Sequence, residues 1–352
     1  MSLEHLQKRI GEAAAAGTAL RLRGGGSKDF YGGELRGEVL DLSGYSGIVS
    51  YEPTELVVTA RCGTRLSELE RLLGENRQCL PFEPPHFGEH ATLGGCVAAG
   101  LSGPRRASAG ALRDFVLGAK IIDGRARALS FGGQVMKNVA GYDVSRLLAG
   151  SLGTLAVIAE ASLKVLPRAQ AELTLRLEMT EQRALDALNE WAGQPLPISA
   201  TAWQHGALAV RLSGAASAVR AASEKLGGQS LAPQEGDALW KAVREHRDPF
   251  FSGTDPLWRL ALPSVAPALE LPGRQLIEWG GALRWLKSGA DAARIRAAAT
   301  SAGGHATLFR AADKAAGAFP PLDPVKKRLH RELKAAFDPA RIFNPGRLYP
   351  DL

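Results

Sequence analysis

Residues 91–167 constrain the fold more than any other stretch, because backbone without side chains brackets one strong strand there. The stretch opens with Ala91-Thr92-Leu93-Gly94-Gly95-Cys96-Val97-Ala98-Ala99-Gly100-Leu101-Ser102-Gly103-Pro104 and closes with Gly141-Tyr142-Asp143 and Gly150-Ser151-Leu152-Gly153-Thr154-Leu155. Between them residues 115–122 read as a strand ended by the turn pair Asp123-Gly124. Each glycine cluster alone is equally well a turn. Together with Gly24-Gly25-Gly26 they bring bare backbone from several places onto one sheet, which suits a large, flat, phosphate-bearing ligand. Of the 40 glycines, 25 lie at or before Gly153, in less than half of the chain, which marks an N-terminal ligand-binding domain and a more ordinary second half.

A chain of 352 residues exceeds the size, about 250–300 residues, at which single cores stop growing, so two domains are expected. The hydrophobic content of 45% is that of a globular protein, and the longest apolar runs, 56–60 and 93–101, are too short to span a membrane. No basic-apolar-small leader precedes Leu3, so the chain reads as lacking a signal peptide. Cys62, Cys79 and Cys96 lack the CxxC spacing of a metal or iron–sulfur site, and an odd count argues against a disulfide framework. No metal is expected, and the three read as thiols in a reducing compartment. The net charge of +7 is scattered, with few aromatics among the basic residues, which argues against nucleic acid as a partner.

Leu3, Leu6 and Ile10 followed by an alanine run predict an opening helix that stops at Gly17, and residues 18–23 a short strand. That strand runs into Arg23-Gly24-Gly25-Gly26-Ser27-Lys28, whose N–H groups are free to face an anion. Neither GxxxxGK[ST] nor GxGxxG occurs, so the P-loop and Rossmann readings lose their support. Residues 39–42, 48–51 and 56–60 predict one small sheet, and Thr64 a capped helix carrying Leu66, Leu69, Leu72 and Leu73. Pro81-Phe82-Glu83-Pro84-Pro85 is an extended connector, after which Thr92 caps a helix starting at Leu93. Asp143 reads as a cofactor contact or, more simply, as the cap of the helix carrying Val144, Leu147 and Leu148. Past Pro167 strands and helices alternate, with residues 229–236 as a hinge between two halves of one α+β domain. A helix over 324–337 and the fixed tail Asn344-Pro345-Gly346 end the chain.

Five motifs in order, residues 23–28, 91–106, Gly141-Tyr142-Asp143, 150–155 and Asn344-Pro345-Gly346, resemble the vanillyl-alcohol-oxidase and p-cresol-methylhydroxylase (PCMH) type of FAD-binding flavoprotein. The segments 132–143 and Trp279-Gly280-Gly281-Ala282-Leu283-Arg284-Trp285 look like those of FAD-binding subunits of bacterial glycolate oxidase complexes. The resemblance implies an α+β fold: a two-lobed PCMH-type FAD-binding domain over residues 1–168, an α+β cap or substrate domain over 169–322, and a helix and tail over 323–352 that return to the first domain. It assigns Arg23, Gly24, Gly25, Gly26, Ser27 and Lys28 to the pyrophosphate loop. Pro84, Thr92, Gly94, Gly95, Ser102 and Gly103 would follow along the diphosphate and ring, Gly110 beside the ring, Gly153 and Ile158 at the adenine end, and Asn344 as the tail's anchor. Lys137 and Lys164 are either phosphate contacts or solvated charges.

Members that bind FAD covalently carry a histidine near the place of Ser27, and none follows the triplet here, so non-covalent FAD is implied. Where catalytic members carry Gly-Asp-Gly-Asn-x-His, this chain has Gly303-Gly304-His305-Ala306-Thr307, and it has Ala99 and Gly100 where others have Thr and Asn. His305 is thus a weak candidate base, more simply a core histidine. Arg259, inside an apolar run, is a carboxylate clamp or half of a salt bridge. The implied function is that of the FAD-binding subunit of a glycolate or other 2-hydroxy acid oxidase or dehydrogenase. A catalytic flavoprotein subunit and an iron–sulfur subunit would be its partners, in the cytoplasm or at the inner membrane face through the complex. The alternatives are a non-catalytic structural FAD subunit and a self-sufficient alcohol or sugar oxidase.

Overall fold

The computed structural model describes residues 1–133 and 143–352. Lys137 and the Gly141-Tyr142 part of the third motif lie outside the described residues. The helix Leu3–Ala16 is capped by the Ser2 hydroxyl and stops on Gly17 in the left-handed conformation at φ 64°, as the sequence requires of a helix ending in glycine. Strand Leu20–Arg23 follows and pairs in parallel with Glu38–Asp41. The expected three-strand sheet is therefore wrong in its first member, because residues 38–41 turn to Leu20–Arg23 and leave Ile48–Glu52 and Val57–Arg61 to another sheet.

That other sheet is antiparallel, in the order Ile48–Glu52, Val57–Arg61, Val157–Lys164, Val116–Ile122, Ala128–Gly132. Its central strand Val157–Lys164 is buried over most of its length. Leu66, Leu69 and Leu73 of helix Leu66–Glu75 and Leu93 and Val97 of helix Leu93–Ala99 share one core with it. Each such leucine contributes about 1.5–3 kcal/mol on burial. Thr64 does not cap the first of these helices. Its hydroxyl accepts from Gly47 N at 2.9 Å and so ties the strand turn instead, leaving Arg65 at the cap without a side-chain bond.

The second half forms one continuous antiparallel sheet in the order Gln229–Ser230, Ala171–Glu178, Ala207–Gly214, Ile198–Gln204, Arg274–Glu278, Leu283–Lys287, Leu257–Ala261, His305–Arg310. The expected hinge is absent. Gln229–Ser230 pairs as an edge strand with Leu175 and Arg176, and residues 233–244 continue as helix Pro233–Arg244. Alternation along the last strands sends Trp258, Leu260, Leu286 and Leu308 to one face, against Ile295 and Ala299 of helix Ala292–Ser301. The other face carries Leu257, Leu276, Leu283, Trp285 and Phe309, which cluster with Tyr31, Leu101 and Leu152 of the first half. Antiparallel sheets with helices segregated to a face make the chain α+β.

Helix Pro324–Phe337 brings the chain back to the first sheet. Lys334 and Asp338, both fully buried, form an ion pair at 2.8 Å. The Lys334 ammonium also donates to the carbonyls of Thr154 and Phe343, each at 2.7 Å. The Asp338 carboxylate accepts from the backbone N–H of Ile342 at 3.1 Å and Phe343 at 2.8 Å. These bonds tie the helix end to the tail, and the one to Thr154 fixes both to the 151–155 loop. Lys334→Met, which leaves a buried carboxylate uncompensated, should cost about 3–5 kcal/mol in urea unfolding, and a variant as stable as wild type would show the pair to be dispensable.

Candidate functional site

A cleft opens where strand Leu20–Arg23, helix Leu93–Ala99 and the tail meet. It is lined by Arg23, Gly24, Gly25, Gly26, Ser27, Lys28, Thr92, Gly94, Gly95, Gly153, Ile158 and Asn344, with Leu22, Ala98, Leu152 and Arg347 between them. Twelve of the sixteen predicted positions are therefore brought to one place. Local packing explains the glycines. A Cβ on Gly24 would overlap the Thr92 hydroxyl, one on Gly25 the His90 carbonyl oxygen, and Gly26 sits at φ 69°. Thr92 caps helix Leu93–Ala99 as expected, accepting from Gly95 N at 3.3 Å.

The loop's hydrogen bonding is the feature that bears on a ligand. Among the described residues, the backbone N–H groups of residues 24–28 make no bond within the protein, although such groups are ordinarily paired. Lys28 sits beside them, half-buried, and donates to the His86 carbonyl at 3.2 Å. Burial holds its pKa down, and Cys96 and Glu245 act in the opposite sense. Arg347, from the tail, adds a second cation that the sequence reading did not pick out. Its guanidinium is held by the carbonyls of Gly33, Tyr31 and Asp29, with no carboxylate bonded to it, and burial lowers its pKa to about 10. Five free N–H groups with two cations fit a diphosphate. The Asn344 carboxamide accepts from Leu22 N at 2.8 Å and donates to Leu152 O at 2.7 Å, pinning the tail along the cleft.

Four predicted positions lie elsewhere. Ser102 and Gly103 line a second cavity against the inner face of the eight-stranded sheet. Gly103 is glycine because a Cβ would overlap the Glu83 carbonyl oxygen. Pro84 is buried but lines neither space, its neighbour Pro85 taking that place, and Gly110 ends the short helix Arg106–Ala109 beside Phe115. Asp143 caps Val144–Leu147, accepting from Arg146 N at 3.1 Å. Lys164 lines neither cavity, and Cys62 and Cys96 are buried free thiols, burial pushing Cys96 up to about 12.

The second cavity contains Arg259, so that half of the Arg259 and His305 suggestion finds a site. No carboxylate bonds to Arg259. Its guanidinium lies over the Trp279 ring, 5.3 Å from the centroid, which excludes the salt-bridge reading among the described residues. His305 is exposed at the start of the edge strand and lines neither cavity. The histidine that does is His246, stacked on Phe251 with centroids 3.8 Å apart and set edge-on to Trp285 at 4.5 Å. Its Nδ1 is sealed from solvent and has no hydrogen-bond partner among the described residues. Burial, then Arg310 and Arg259, hold its pKa well below the ordinary value. His246 hides in the sequence within Arg244-Glu245-His246-Arg247-Asp248, a run that looks solvated, and only Pro249-Phe250-Phe251 after it hints at burial. Glu278 completes the set, accepting from Trp285 Nε1 at 2.7 Å.

Two connections hold the cavity's rim. Glu83 takes Arg211 at 2.8 Å and Arg105 N at 3.0 Å, and Glu245 takes His86 N at 3.0 Å and Phe87 N at 2.8 Å, so the 83–87 connector is clamped by the second sheet's side of the molecule. Among the described residues no group of three or more His, Cys, Asp or Glu side chains could hold a metal, and no helix is long and apolar enough to cross a membrane.

Comparison with known proteins agrees with this geometry. Residues 1–132 match the family described as FAD binding domain, and residues 320–348 match FAD linked oxidases, C-terminal domain. The chain is 51% identical over 347 residues to glycolate oxidase subunit GlcE of Escherichia coli K12, covering 99% of this chain and 97% of that one. The chain belongs to the FAD-linked oxidase family of glycolate oxidase subunit GlcE. Its cofactor is FAD, and it is an oxidoreductase of the kind that acts on CH–OH donors. More distant similarity is confined to part of each chain. D-lactate dehydrogenase of Archaeoglobus fulgidus is 31% identical over 47% of this chain and 35% of its own, and glycolate oxidase subunit GlcD of Bacillus subtilis 30% over 40% and 29%. A solved alkyldihydroxyacetonephosphate synthase superposes with TM-score 0.67 over 97% of this chain and 74% of its own at 16% identity, a likeness of fold.

Glu278 gives the site a measurable signature. Burial raises its carboxyl to about 7 despite the Trp285 bond and Arg259, which both act to lower it. A folded value above the unfolded one means that the group stabilises the fold fully below about pH 4.5, and that this contribution is lost as pH rises through about 7. The loss amounts to about 3 kcal/mol. Glu278→Gln should therefore gain on wild type in urea unfolding between pH 5 and pH 8, and a difference independent of pH would rule the shift out.

Proposed function

We propose that this chain is the FAD-binding subunit of a glycolate, or more broadly 2-hydroxy acid, oxidase complex, with its flavin held non-covalently in the first cleft. The observation that carries the reading is 51% identity along the whole of both chains to a glycolate oxidase subunit, set on a cleft whose glycine loop leaves its N–H groups free. FAD held there would supply the two-electron chemistry that oxidation of a 2-hydroxy acid requires. The chain's own part is to bind and orient. Residues 24–28 would hold the diphosphate, with Lys28 and Arg347 offsetting its charge and Arg23, paired with Asp29 at 3.2 Å, at the loop's entry. Thr92, Gly94 and Gly95 would border it, and Gly153 and Ile158 would receive the adenine end. No His or Cys follows the glycine triplet to form a covalent link.

The division into residues 1–168, 169–322 and 323–352 belongs to the same reading, the middle part serving as cap over the flavin's open face. A catalytic flavoprotein subunit and an iron–sulfur subunit would complete the complex, since Cys62, Cys79 and Cys96 are unsuited to a cluster. The setting is cytoplasmic, and any contact with the membrane's inner face would come through those partners. One observation favours a second reading, in which this chain oxidises the acid itself: Arg259 faces the second cavity with no carboxylate hydrogen-bonded to it among the described residues.

The purified chain should show two visible flavin bands, and acid precipitation should release the colour into the supernatant. A coloured pellet would refute non-covalent binding. Gly25 is a poor probe, because any side chain there collides with His90. Gly26→Val is the better one. At φ 69° a β-branched residue is strained by about 1–3 kcal/mol, which should weaken flavin retention roughly tenfold or more. Truncation before Phe343, which removes Asn344 and Arg347, should loosen the flavin at least as much. Mixing the isolated chain with glycolate and an artificial acceptor, then repeating with co-expressed partners, separates the two readings: activity only in the complex supports the subunit reading.

A further inference from the structure

We propose that Lys314 is a positioning residue for the flavin: from the second half of the chain it fixes the segment that follows the glycine loop, so that flavin affinity depends on a lysine that does not line the cleft. The inference goes beyond the proposed function and rests on it for the identity of the ligand.

Residues 29–33 come directly after the free N–H groups of residues 24–28, and all five of their backbone carbonyls accept from a cation. Arg347 of the tail takes those of Asp29, Tyr31 and Gly33, while the Lys314 ammonium takes those of Phe30 and Gly32, the latter at 2.9 Å. The Asp29 carboxylate is held in turn by Arg21 and Arg23. The segment also reaches back into the glycine loop. Asp29 N donates to Gly26 O at 3.1 Å and Tyr31 N to Lys28 O at 3.0 Å, so a shift of residues 29–32 is passed directly to the groups that would meet the diphosphate. Lys314 itself lines the groove behind the segment and not the cleft.

Lys314 is firmly seated in the second half. Gly317 N donates to Lys314 O at 2.8 Å to close its turn, and Arg296 of helix Ala292–Ser301 donates to the carbonyls of Ala316 at 2.7 Å and Gly317 at 2.6 Å. Ala318 O accepts from Leu308 N at 2.8 Å, which bonds the same stretch to strand His305–Arg310. From the end of that strand Arg310 lays its guanidinium over the Phe30 ring, 4.4 Å from the centroid, so the second half grips Phe30 by ring and carbonyl together. Neither cation has a carboxylate partner among the described residues. Burial, then Arg347 and Arg310, lower the Lys314 pKa to about 8. A neutral residue at this place would avoid gathering three like charges, so what the ammonium contributes is its hold on Phe30 and Gly32.

The test reads the loop and the flavin separately. In the flavin-free chain, Lys314→Met should speed hydrogen exchange over residues 29–33 about tenfold and leave strand Ile198–Gln204 unchanged, and Lys314→Arg should restore most of the protection. Titration with FAD, followed by flavin fluorescence, should show Lys314→Met binding about tenfold more weakly and Lys314→Arg close to wild type. Lys314→Gln, which keeps a donor for one carbonyl, should fall between them and carries the same readouts if the methionine variant does not fold. Unchanged exchange over residues 29–33, exchange that rises equally throughout the chain, or a Lys314→Met chain with wild-type FAD affinity would overturn this inference alone. A wild type that takes up no FAD would overturn the flavin reading, while the exchange data would still decide whether Lys314 fastens the loop.

Discussion

The buried Lys334 ammonium is the fastening on which the site's shape depends. Its three acceptors, Thr154 O, Asp338 Oδ2 and Phe343 O, belong to a loop, a helix end and the tail, and all lie within 2.8 Å. A lysine in such a place has no access to water, so the fold must supply every acceptor, and doing so fixes three chain segments relative to one point. The consequence reaches the cleft one residue later. Asn344 follows Phe343, sits at φ 42°, and bonds both Leu22 and Leu152, so its carboxamide position is inherited from the ion pair. Leu20 bridges to Phe343 from the other side, which makes the tail an outer strand to Leu20–Arg23. The glycine loop thus emerges from a strand that the last residues of the chain hold in place.

A comparable constraint links the two sheets. The connector 83–87 is proline-rich and cannot pair as a strand, so its polar groups must be satisfied by other means. Glu245 accepts from two successive N–H groups of it, and Glu83 reaches back to Arg105 and Arg211. Trp279 adds a bond from its indole to Gly103 O at 3.0 Å. The second cavity lies among these contacts, which is why its walls come from both halves of the chain while its charged groups come from the second.

Where sequence periodicity is local, it was legible. Past Pro167 the alternation of strands and helices follows the apolar runs, with Gln229–Ser230 and helix Pro233–Arg244 the exceptions, and the Thr92 and Asp143 caps follow from side-chain chemistry alone. The glycine loop, Thr92, Gly153 and Asn344 were brought together by resemblance, since no local pattern says that residue 344 lies beside residue 22. The failures were tertiary. Residues 38–41 have no local signal for parallel pairing, and Pro233 at a helix start reads equally well as a linker. Missing helix Pro233–Arg244 meant missing what it delivers, His246, whose left-handed φ of 52° turns the chain inward directly after a charged run.

The same tertiary effect changes the meaning of the net charge. In the sequence the excess of +7 is scattered, and scattering argued against nucleic acid as a partner. In the fold, part of that excess is gathered into the space between the sheets. Lys28, Arg106, Arg259 and Arg310 all lie there or at its edge without a hydrogen-bonded carboxylate among the described residues. Phe87 receives the first, Trp279 the next two and Phe30 the last. A ring face attracts a cation by about 0.5–2 kcal/mol, which lowers the cost of desolvation without supplying a counter-charge. A fold selected only for stability would place a carboxylate there, as it does at Glu83 and Asp338. Aromatic faces keep the cations positioned and still available, and that is the arrangement required where the anion arrives from solution.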